Sequence, residues 1–317
     1  MTVRGIRLRL KWTLLSVVDL LGFPLKLKGR EGEVQIICFH GICADTDAFI
    51  NGRFYHVSAF RNLLSEIQQH FHIISLDDFS ANRLNPDKLN VLITFDDGYR
   101  NNLTLALPVI EELRIPITVF VTGRTDFPLW ADLLDVAAAH PAESGTVLNE
   151  LRAYAQVKTV RELKAWIPLQ PQEVVMEINR KLNELPHTLL DKTRVFWELL
   201  SNDDLLVLQT KSLVSLANHG ANHLSFVTLS DVGMAKEIEE VQIRLTNIGS
   251  NYGSVFAYPY GQHTPATIAQ LAELGITQQY LAGSGITDKP YLFQRMTVNP
   301  FISVKNMLRI IQKGRFY

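Results

Sequence analysis

Leu92-Ile93-Thr94-Phe95-Asp96-Asp97-Gly98 is a short apolar run that ends in two adjacent carboxylates and a glycine. Runs of this kind are typical of buried strands, and function in α/β folds gathers just beyond the carboxyl ends of such strands. Two acids there suit a division of labour, in which one holds a metal and the other moves a proton. Taken alone, Asp-Asp-Gly is more often a helix N-cap, because Asp accepts backbone N–H bonds. The choice between a catalytic acid pair and a helix N-cap therefore depends on the other segments of the chain.

The composition is that of a globular protein. The 317 residues are 47% hydrophobic and 20% charged, which is ordinary for a chain that buries a large core. A net charge of -1 argues against a general nucleic-acid binder, so we expect no nucleic-acid partner. Cys38 and Cys43 are the only cysteines, so we expect no disulfide framework, and a reducing, cytoplasmic compartment suits the chain.

Residues 1–30 form a basic segment that differs from the rest of the chain. An apolar stretch over residues 12–25 is flanked by cations on both sides: Arg4, Arg7, Arg9, Lys11, Lys26, Lys28 and Arg30. The stretch is short for a membrane span and lacks a small-residue cleavage site after it. An amphipathic helix on an anionic membrane surface and a helix packed on the domain stay open equally, with an uncleaved anchor as a third hypothesis. The first would place the protein at the inner face of the cytoplasmic membrane.

Residues 31–317 alternate strand-like and helix-like segments, which predicts βα units around a parallel sheet. Strands are predicted over 34–39, 72–75, 91–95, 117–121, 214–217, 255–258, 279–282 and 295–298. Ser58, Ser230 and Thr264 are predicted helix N-caps. Helix formers dominate from about residue 126 to 210, which predicts a helical insertion within a single domain.

His219 and His223 form the second informative site, directly after the strand predicted at 214–217. Histidines four apart are expected on one side of a helical turn, where both imidazoles reach one ion. Their place at a strand end matters more than their spacing, since strand-end loops converge in α/β barrels. One carboxylate with two imidazoles leaves room for a water and a substrate oxygen. The ordinary alternative is a pair of solvated or half-buried histidines.

Tyr258-Pro259-Tyr260-Gly261 ends a further predicted strand. Pro and Gly are ordinary turn residues, so a simple turn is one interpretation. The functional interpretation is a rigid turn that aims a backbone N–H at a developing oxyanion.

Together these segments resemble the polysaccharide deacetylases, the NodB-homology group also known as carbohydrate esterase family four. Thr94–Gly98 matches the Thr-Phe-Asp-Asp-Gly motif of that family in full. His219–His223 matches His-Ser/Thr-x-x-His with Gly220 in the hydroxyl position, and Pro259-Tyr260 matches half of Arg-x-Pro-Tyr/Phe. Cys38–Gly41 and Leu129–Asp132 are also similar to segments of family members. The resemblance covers residues 34–298, most of the chain.

The resemblance implies an α/β fold, an irregular (β/α) barrel that holds a divalent metal, most often Zn²⁺, with Co²⁺ or Ni²⁺ as alternatives. It implies that Asp97, His219 and His223 are the ligands and that Asp96 is the base that activates a metal-bound water for attack on an acetamide carbonyl. The backbone N–H of Tyr260 would stabilise the oxyanion. The implied reaction removes N-acetyl groups from amino sugars of a cell-envelope polysaccharide, lipopolysaccharide or glycan precursor.

The chain departs from the family pattern in two further places. The Leu-x-His segment that often supplies the proton donor is absent, since no histidine follows His263. His263, His40 and Asp96 itself stay open as donors to the leaving amine. Ala257 stands where the family often has an arginine that orients the base, and Arg295 is the candidate replacement.

Three alternative interpretations remain. Cys38-x-His40-x-x-Cys43 contains zinc-ligand types, although a structural site usually needs a fourth ligand. A catalytically silent glycan-binding protein, or a C–N hydrolase acting on a small non-sugar amide, would use the same fold. For the leading interpretation, the helical insertion is predicted to narrow the groove and select a chain end, a lipid-linked sugar or a small glycan as the substrate.

Overall fold

The computed structural model describes residues 27–47, 50, 52–124, 128–283 and 289–315. The predictions of membrane contact or packing for the basic N-terminal segment concern residues that lie almost wholly outside these ranges. Within the ranges, every helix is too short or too polar to cross a membrane.

In the part of the chain that the structure describes, ten strands, all paired in parallel, form a closed barrel with one added strand and a small separate sheet. They are β1 (Val34–Phe39), β2 (Gly41–Cys43), β3 (Phe54–His56), β4 (His72–Ile74), β5 (Asn90–Phe95), β6 (Ile117–Val121), β7 (Val214–Asn218), β8 (Tyr252–Ala257), β9 (Gln278–Ala282) and β10 (Leu292–Thr297). Around the barrel the order is β1-β10-β9-β8-β7-β6-β5, and β5 pairs back onto β1 to close it. The predicted irregular (β/α) barrel is thereby confirmed.

The barrel is irregular at β5, which pairs with β1 along its whole length and shares its other edge between two strands. β4 pairs with residues 90–92 of β5, and β6 pairs with residues 94–95. A register shift at Ala217/Asn218 adds a second irregularity, between β7 and β8. All six side chains of β5 are buried, which explains why its sequence is a continuous apolar run.

Helices α1 (Val57–His70) and α3 (Leu107–Leu113) pack on the outer face of the barrel, whereas the short α2 (Leu76–Ser80) places Leu76 and Phe79 against the interior cluster. Side chains alternate along the strands between this outer layer and the barrel interior. Ser58 does not cap α1 as predicted, because the helix already begins at Val57 with His56 at the N-cap position. A π-helix over Asn102–Ala106, which the sequence pattern did not predict, precedes α3.

A helical cap with its own hydrophobic core lies between β6 and β7. We use this name for residues 130–192, which contain α4 (Trp130–Ala139), α5 (Pro141–Tyr154), α6 (Val160–Trp166), α7 (Gln172–Leu182) and α8 (His187–Lys192). The predicted insertion ran to about residue 210. The next helix, α9 (Asn202–Gln209), instead buries Leu205 and Leu208 in the outer layer of the barrel.

The remaining helices are α10 (Asp231–Asn247), α11 (Pro265–Glu273) and α12 (Val304–Lys313). Ser230 and Thr264 accept backbone N–H bonds at the starts of α10 and α11, as predicted for N-caps. α11 carries Pro265 in its first turn, and Gly275 just beyond it has φ +83.

Candidate active site

The carboxyl ends of the barrel strands surround a cavity of about 280 Å³. The residues that follow β5, β7 and β8 contribute Asp96 and Asp97, His219 and His223, and the turn at Tyr260. The helical cap contributes Trp130 and Lys164 to the same cavity. The three segments singled out in the sequence therefore meet in one place, at the end of the barrel where α/β folds place their function.

The Asp-Asp-Gly turn is not a helix cap. Asp97 has φ +73 and Gly98 has φ +75, so the chain turns through left-handed conformations instead of entering a helix. A Cβ on Gly98 would lie 3.1 Å from the Val121 side chain, which explains the glycine. Asp96 is anchored by its own N–H, which donates to the carbonyl of Phe39 at 3.0 Å. The backbone thus fixes the two carboxylates separately.

The loop that carries His219 and His223 is irregular, so the predicted helical turn is wrong. Gly220 has φ +78 and His223 has φ +53, which no α-helix contains. The loop is fixed by hydrogen bonds instead: the His219 N–H donates to the carbonyl of Val121 at 3.0 Å, and the Gly220 N–H donates to Asn218 Oδ1 at 2.9 Å. Both imidazoles still converge, because the turn reverses the chain between them.

Both imidazoles present Nε2 to one carboxylate oxygen. Asp97 Oδ1 lies 3.3 Å from His219 Nε2 and 3.1 Å from His223 Nε2. Tetrahedral ligands about 2.1 Å from a zinc ion lie roughly 3.4 Å apart, so these spacings fit a common ion. The ligand atoms of all three residues lie within 4.8 Å of one another, and the residues are buried. The donor set therefore fits a divalent cation with nitrogen and oxygen ligands.

The other ring nitrogen of each histidine has a hydrogen-bond partner, and the partner of His219 fixes its tautomer. His219 Nδ1 lies 2.8 Å from the carbonyl oxygen of Ala257, which can only accept, so this nitrogen carries the proton. His223 Nδ1 lies 3.0 Å from the Tyr260 hydroxyl. His219 Nε2 is thereby left with a lone pair toward Asp97, as ligation requires, and the hydroxyl beside His223 Nδ1 can accept a proton from that ring in the same way.

Asp96 is held by Arg295 in a bidentate pair. The guanidinium donates to Oδ1 at 2.5 Å and to Oδ2 at 2.8 Å, and Arg295 is 1% exposed. Burial by itself would raise the pKa of Asp96, but the Arg295 charge outweighs it and lowers the pKa to about 2. Asp96 Oδ2 lies 4.0 Å from His219 Nε2. An ionised carboxylate therefore stands beside the candidate metal ligands.

Comparison with known proteins identifies the family. The sequence model for polysaccharide deacetylases matches residues 83–197 and 199–279, which is more than half of the chain. This protein belongs to the polysaccharide deacetylase family. Its members carry out carbohydrate de-N-acetylation and generally use a divalent metal. Curated protein sequences give no significant match.

Solved structures give the same fold at low sequence identity. A deacetylase PplD from Streptococcus pyogenes in complex with acetate is 15% identical with a TM-score of 0.57, over 88% of this chain and 98% of that one. IcaB from Ammonifex degensii is 17% identical with a TM-score of 0.56, over 90% and 99%. A putative polysaccharide deacetylase, BA0330, from Bacillus anthracis is 14% identical with a TM-score of 0.56, over 88% and 69%.

In this member of the polysaccharide deacetylase family, the Tyr260 side chain is a support for His223. Its hydroxyl accepts a hydrogen bond from Trp130 Nε1 at 2.7 Å and donates to the carbonyl of His223 at 3.0 Å. Tyr260 itself has φ +60, and a Cβ on the following Gly261 would lie 2.6 Å from Ala282. The turn is therefore tightly constrained, as expected for a backbone N–H that has to be aimed.

The two candidate histidines for proton donation occupy different positions. His40 lines the cavity, and burial lowers its pKa to about 4 against the opposing charges of Asp97 and Asp96. His263 is exposed on the turn beyond β8, outside the cavity lining, and its Nδ1 lies 2.9 Å from the carbonyl of Gly261. Of the two, only His40 faces the site.

The rival zinc interpretation of Cys38, His40 and Cys43 is not supported by the structure. Cys38 lies near His40 and Asp96, whereas Cys43 packs in the core of the helical cap, and its Sγ lies 3.6 Å from the carbonyl of Tyr55. The two thiols therefore do not face one ion.

Sequence reasoning missed a polar cluster behind Asp97, in which Tyr99 and Asp132 are buried and Arg53 and Asp135 are partly exposed. The only signal was the Trp130-x-Asp132 segment, which was noted as a resemblance and given no role. Arg53 and Tyr99 carry no motif that distinguishes them from ordinary arginines and tyrosines.

Proposed function

We propose that this protein is a metal-dependent N-deacetylase that acts on an N-acetylated amino sugar of a cell-envelope glycan or its precursor. The observation that carries the proposal is the convergence of two imidazole Nε2 atoms on Asp97 Oδ1 beside a carboxylate held by Arg295. In this arrangement the two adjacent aspartates have different roles: Asp97 faces the imidazoles as a ligand, and Asp96 is left as the base. Membership in the deacetylase family gives the reaction class.

The Asp97, His219 and His223 side chains would hold the cation, with Zn²⁺ the best match and Co²⁺ or Ni²⁺ as substitutes. Two nitrogen donors and one oxygen donor are typical of catalytic zinc sites that keep an open position. When bound, the cation polarises the acetamide carbonyl and lowers the pKa of water in the site.

Asp96 is the group that takes a proton from the attacking water. Its pairing with Arg295 keeps it ionised, and it lies next to the ligand set without sharing its atoms. A carboxylate with a low pKa is a weak base, but once protonated it releases the proton readily. We therefore infer that Asp96 also returns this proton to the leaving amine, with His40 as the neighbouring wall of the cavity.

The Tyr260 backbone N–H is proposed to stabilise the oxyanion that forms on the acetamide carbonyl. The strained turn at Pro259–Gly261 supports this role, because it fixes the peptide plane before the substrate arrives. The Tyr260 side chain meanwhile orients His223 through its hydroxyl.

A small substrate unit is favoured by the size of the cavity. A volume of about 280 Å³ suits one acetylated sugar residue, and the helical cap supplies one wall through Trp130 and Lys164. We therefore propose that the enzyme acts on a chain end, a lipid-linked sugar or a small glycan. Equal turnover of internal units of a long polymer would contradict this.

A cytoplasmic location at the inner face of the membrane is proposed on the sequence alone. Its support is the cluster of cations that flanks the apolar stretch over residues 12–25. Deletion of residues 1–26 should release the protein from anionic vesicles, and unchanged vesicle binding would contradict the proposal.

Acetate release tests the proposed reaction. Protein reconstituted with Zn²⁺ or Co²⁺ should release acetate from N-acetylated oligosaccharides, and Asp96→Asn should lower kcat by about 10²–10⁴-fold while metal binding persists. Metal binding without acetate release from any amino sugar would favour the silent glycan-binding protein. Release from small non-sugar amides alone would favour the other C–N hydrolase.

A further inference from the structure

A fully buried carboxylate of the helical cap contacts the same side chains as the candidate metal ligand Asp97. Asp132, on α4, is 0% exposed. Its Oδ1 and Oδ2 lie 2.8 Å and 3.0 Å from the Tyr99 hydroxyl, and its Oδ1 also pairs with the guanidinium of Arg53. A buried carboxylate costs several kcal/mol unless it is paired, so the contacts with these two partners are strongly favoured.

The same two partners reach the far oxygen of Asp97. The Tyr99 hydroxyl lies 2.8 Å from Asp97 Oδ2, and the Arg53 guanidinium lies 3.4 Å from the same atom. The near oxygen, Oδ1, faces the two imidazoles. The two oxygens of Asp97 therefore have different partners: Oδ1 faces the histidines, and Oδ2 faces the polar network of Tyr99, Arg53 and Asp132.

The charges of the network extend outward through the helical cap. Arg53 also lies 3.6 Å from Asp135, and Lys164 pairs with Asp135 at 2.6 Å. Asp135 and Lys164 both belong to cap helices, α4 and α6, whereas Arg53 directly precedes β3 and Tyr99 lies in the segment that follows β5. The network therefore joins the cap to the metal ligand through hydrogen bonds and ion pairs.

We propose that Asp132 is a positioning residue for Asp97, so that the helical cap forms part of the metal site and is more than a wall of the cavity. The proposal rests on the proposed function in that Asp97 holds a cation. Asp132 anchors Arg53, whose guanidinium donates to Asp132 through one nitrogen and to Asp97 Oδ2 through another. Its contact with Tyr99 holds the phenol so that the single hydroxyl proton can reach Asp97 Oδ2, which leaves Oδ1 aimed at the imidazoles. Hydrogen-bond partners of metal ligands commonly change metal affinity by 10–100-fold when they are removed.

Metal affinity, measured with the metal alone, tests the proposal independently of turnover. Co²⁺ and Zn²⁺ titrations of the full chain should show about 10-fold weaker binding for Asp132→Asn than for the unaltered protein. The control is Ser144→Ala, which removes buried hydrogen bonds from Ser144 Oγ to the carbonyls of Ala137 and His140 inside the cap, away from the network. Ser144→Ala should lower the melting temperature and leave the metal affinity unchanged.

Tyr99→Phe is a second variant that tests the positioning role if Asp132→Asn folds poorly. It removes the hydroxyl that touches both carboxylates and should also weaken Co²⁺ binding about 10-fold. If Asp132 acts through Tyr99, the double variant loses less affinity than the product of the two single losses, because both remove one shared contact.

The outcomes separate the two proposals. Unchanged Co²⁺ affinity in both Asp132→Asn and Tyr99→Phe, with normal binding by the unaltered protein, would overturn the positioning role and leave the deacetylase proposal standing. Equal losses of affinity in Asp132→Asn and Ser144→Ala would show a merely structural role. Failure of the unaltered protein to bind either metal would instead contradict the proposed metal site.

Discussion

Asp96, the proposed general base, is held by an arginine that lies 199 residues further along the chain. Arg295 occupies β10, and its guanidinium lies 5.0 Å from the Phe120 ring centroid while it chelates Asp96. The family often supplies such an arginine from the position of Ala257, on β8. The side chains at positions 257 and 295 both face the barrel interior, so an arginine at either position can reach the Asp96 carboxylate.

Arg295→Lys should lower kcat/KM by about 10–100-fold, because an ammonium provides a single point charge where the guanidinium makes a bidentate contact. Activity assays with saturating metal would measure this. The control is Arg61→Lys, since Arg61 makes an ion pair with Glu112 on the surface and such pairs contribute little. Full activity in Arg295→Lys would show that Asp96 needs only a nearby positive charge.

Substitution of the two histidines outside the ligand set distinguishes their roles. His40→Gln should lower kcat by about 10-fold because the side chain lines the cavity, whereas His263→Gln should leave kcat within about twofold. Steady-state kinetics of both variants, compared with Asp96→Asn, would measure this. A loss in His40→Gln as large as that in Asp96→Asn would make His40 the proton donor.

At the scale of elements, the loop that carries the candidate ligands His219 and His223 depends on a close approach to the segment that follows β6. The Gly123 N–H donates to the carbonyl of Gly220 at 3.2 Å, and a Cβ on Gly123 would lie 2.9 Å from Ala221 Cα. Ala221 lies between the two histidines, so the end of β6 limits where this loop can lie.

Gly123→Ala should therefore weaken metal binding by about 10-fold and destabilise the fold by about 1–3 kcal/mol, because the added methyl group overpacks a backbone contact. Metal titration and denaturant unfolding would measure the two effects. The matched control is Gly145→Ala in α5, where a Cβ meets nothing within 4 Å. That change should stabilise by about 0.5–1 kcal/mol and leave metal binding unchanged.

Elements with a strong local pattern were predictable from the sequence. Each predicted barrel strand is present within a few residues of its predicted bounds, because an apolar run buried on two faces has few alternatives. Short or irregular elements were missed: β2 and β3 have three residues each, and the π-helix over Asn102–Ala106 has no pattern that distinguishes it from an α-helix.

At the scale of the whole molecule, the candidate metal joins three segments that are distant in sequence. Asp97 follows β5, and His219 and His223 follow β7, with the whole helical cap between them. A ligand that binds the folded state alone stabilises it by about 2.7 kcal/mol at a free concentration 100 times its Kd.

Removal of the metal with a chelator should therefore lower the melting temperature by roughly 3–5 °C, since an unfolding entropy of about 2.1 cal/mol/K per residue makes 1 kcal/mol correspond to about 1.5 °C in a chain of 317 residues. Thermal unfolding with added Zn²⁺ and with chelator would measure the shift. Asp97→Asn should show little difference between the two conditions. A shift of equal size in Asp97→Asn would mean that the metal stabilises the protein from another site.

The sequence by itself determined the barrel and pointed to the candidate reactive groups, because both depend on local patterns: apolar runs, and the acids and histidines that directly follow them. The tertiary structure decided how those groups are held. Arg295 was a candidate partner of Asp96 from the family resemblance, but its bidentate contact was not predicted, and the link from Asp132 through Tyr99 to Asp97 was not expected at all. Both contacts join residues whose separations along the chain carry no local signal. Such contacts exist only because closure of the barrel and docking of the cap bring distant strands and helices within a few ångströms of one another.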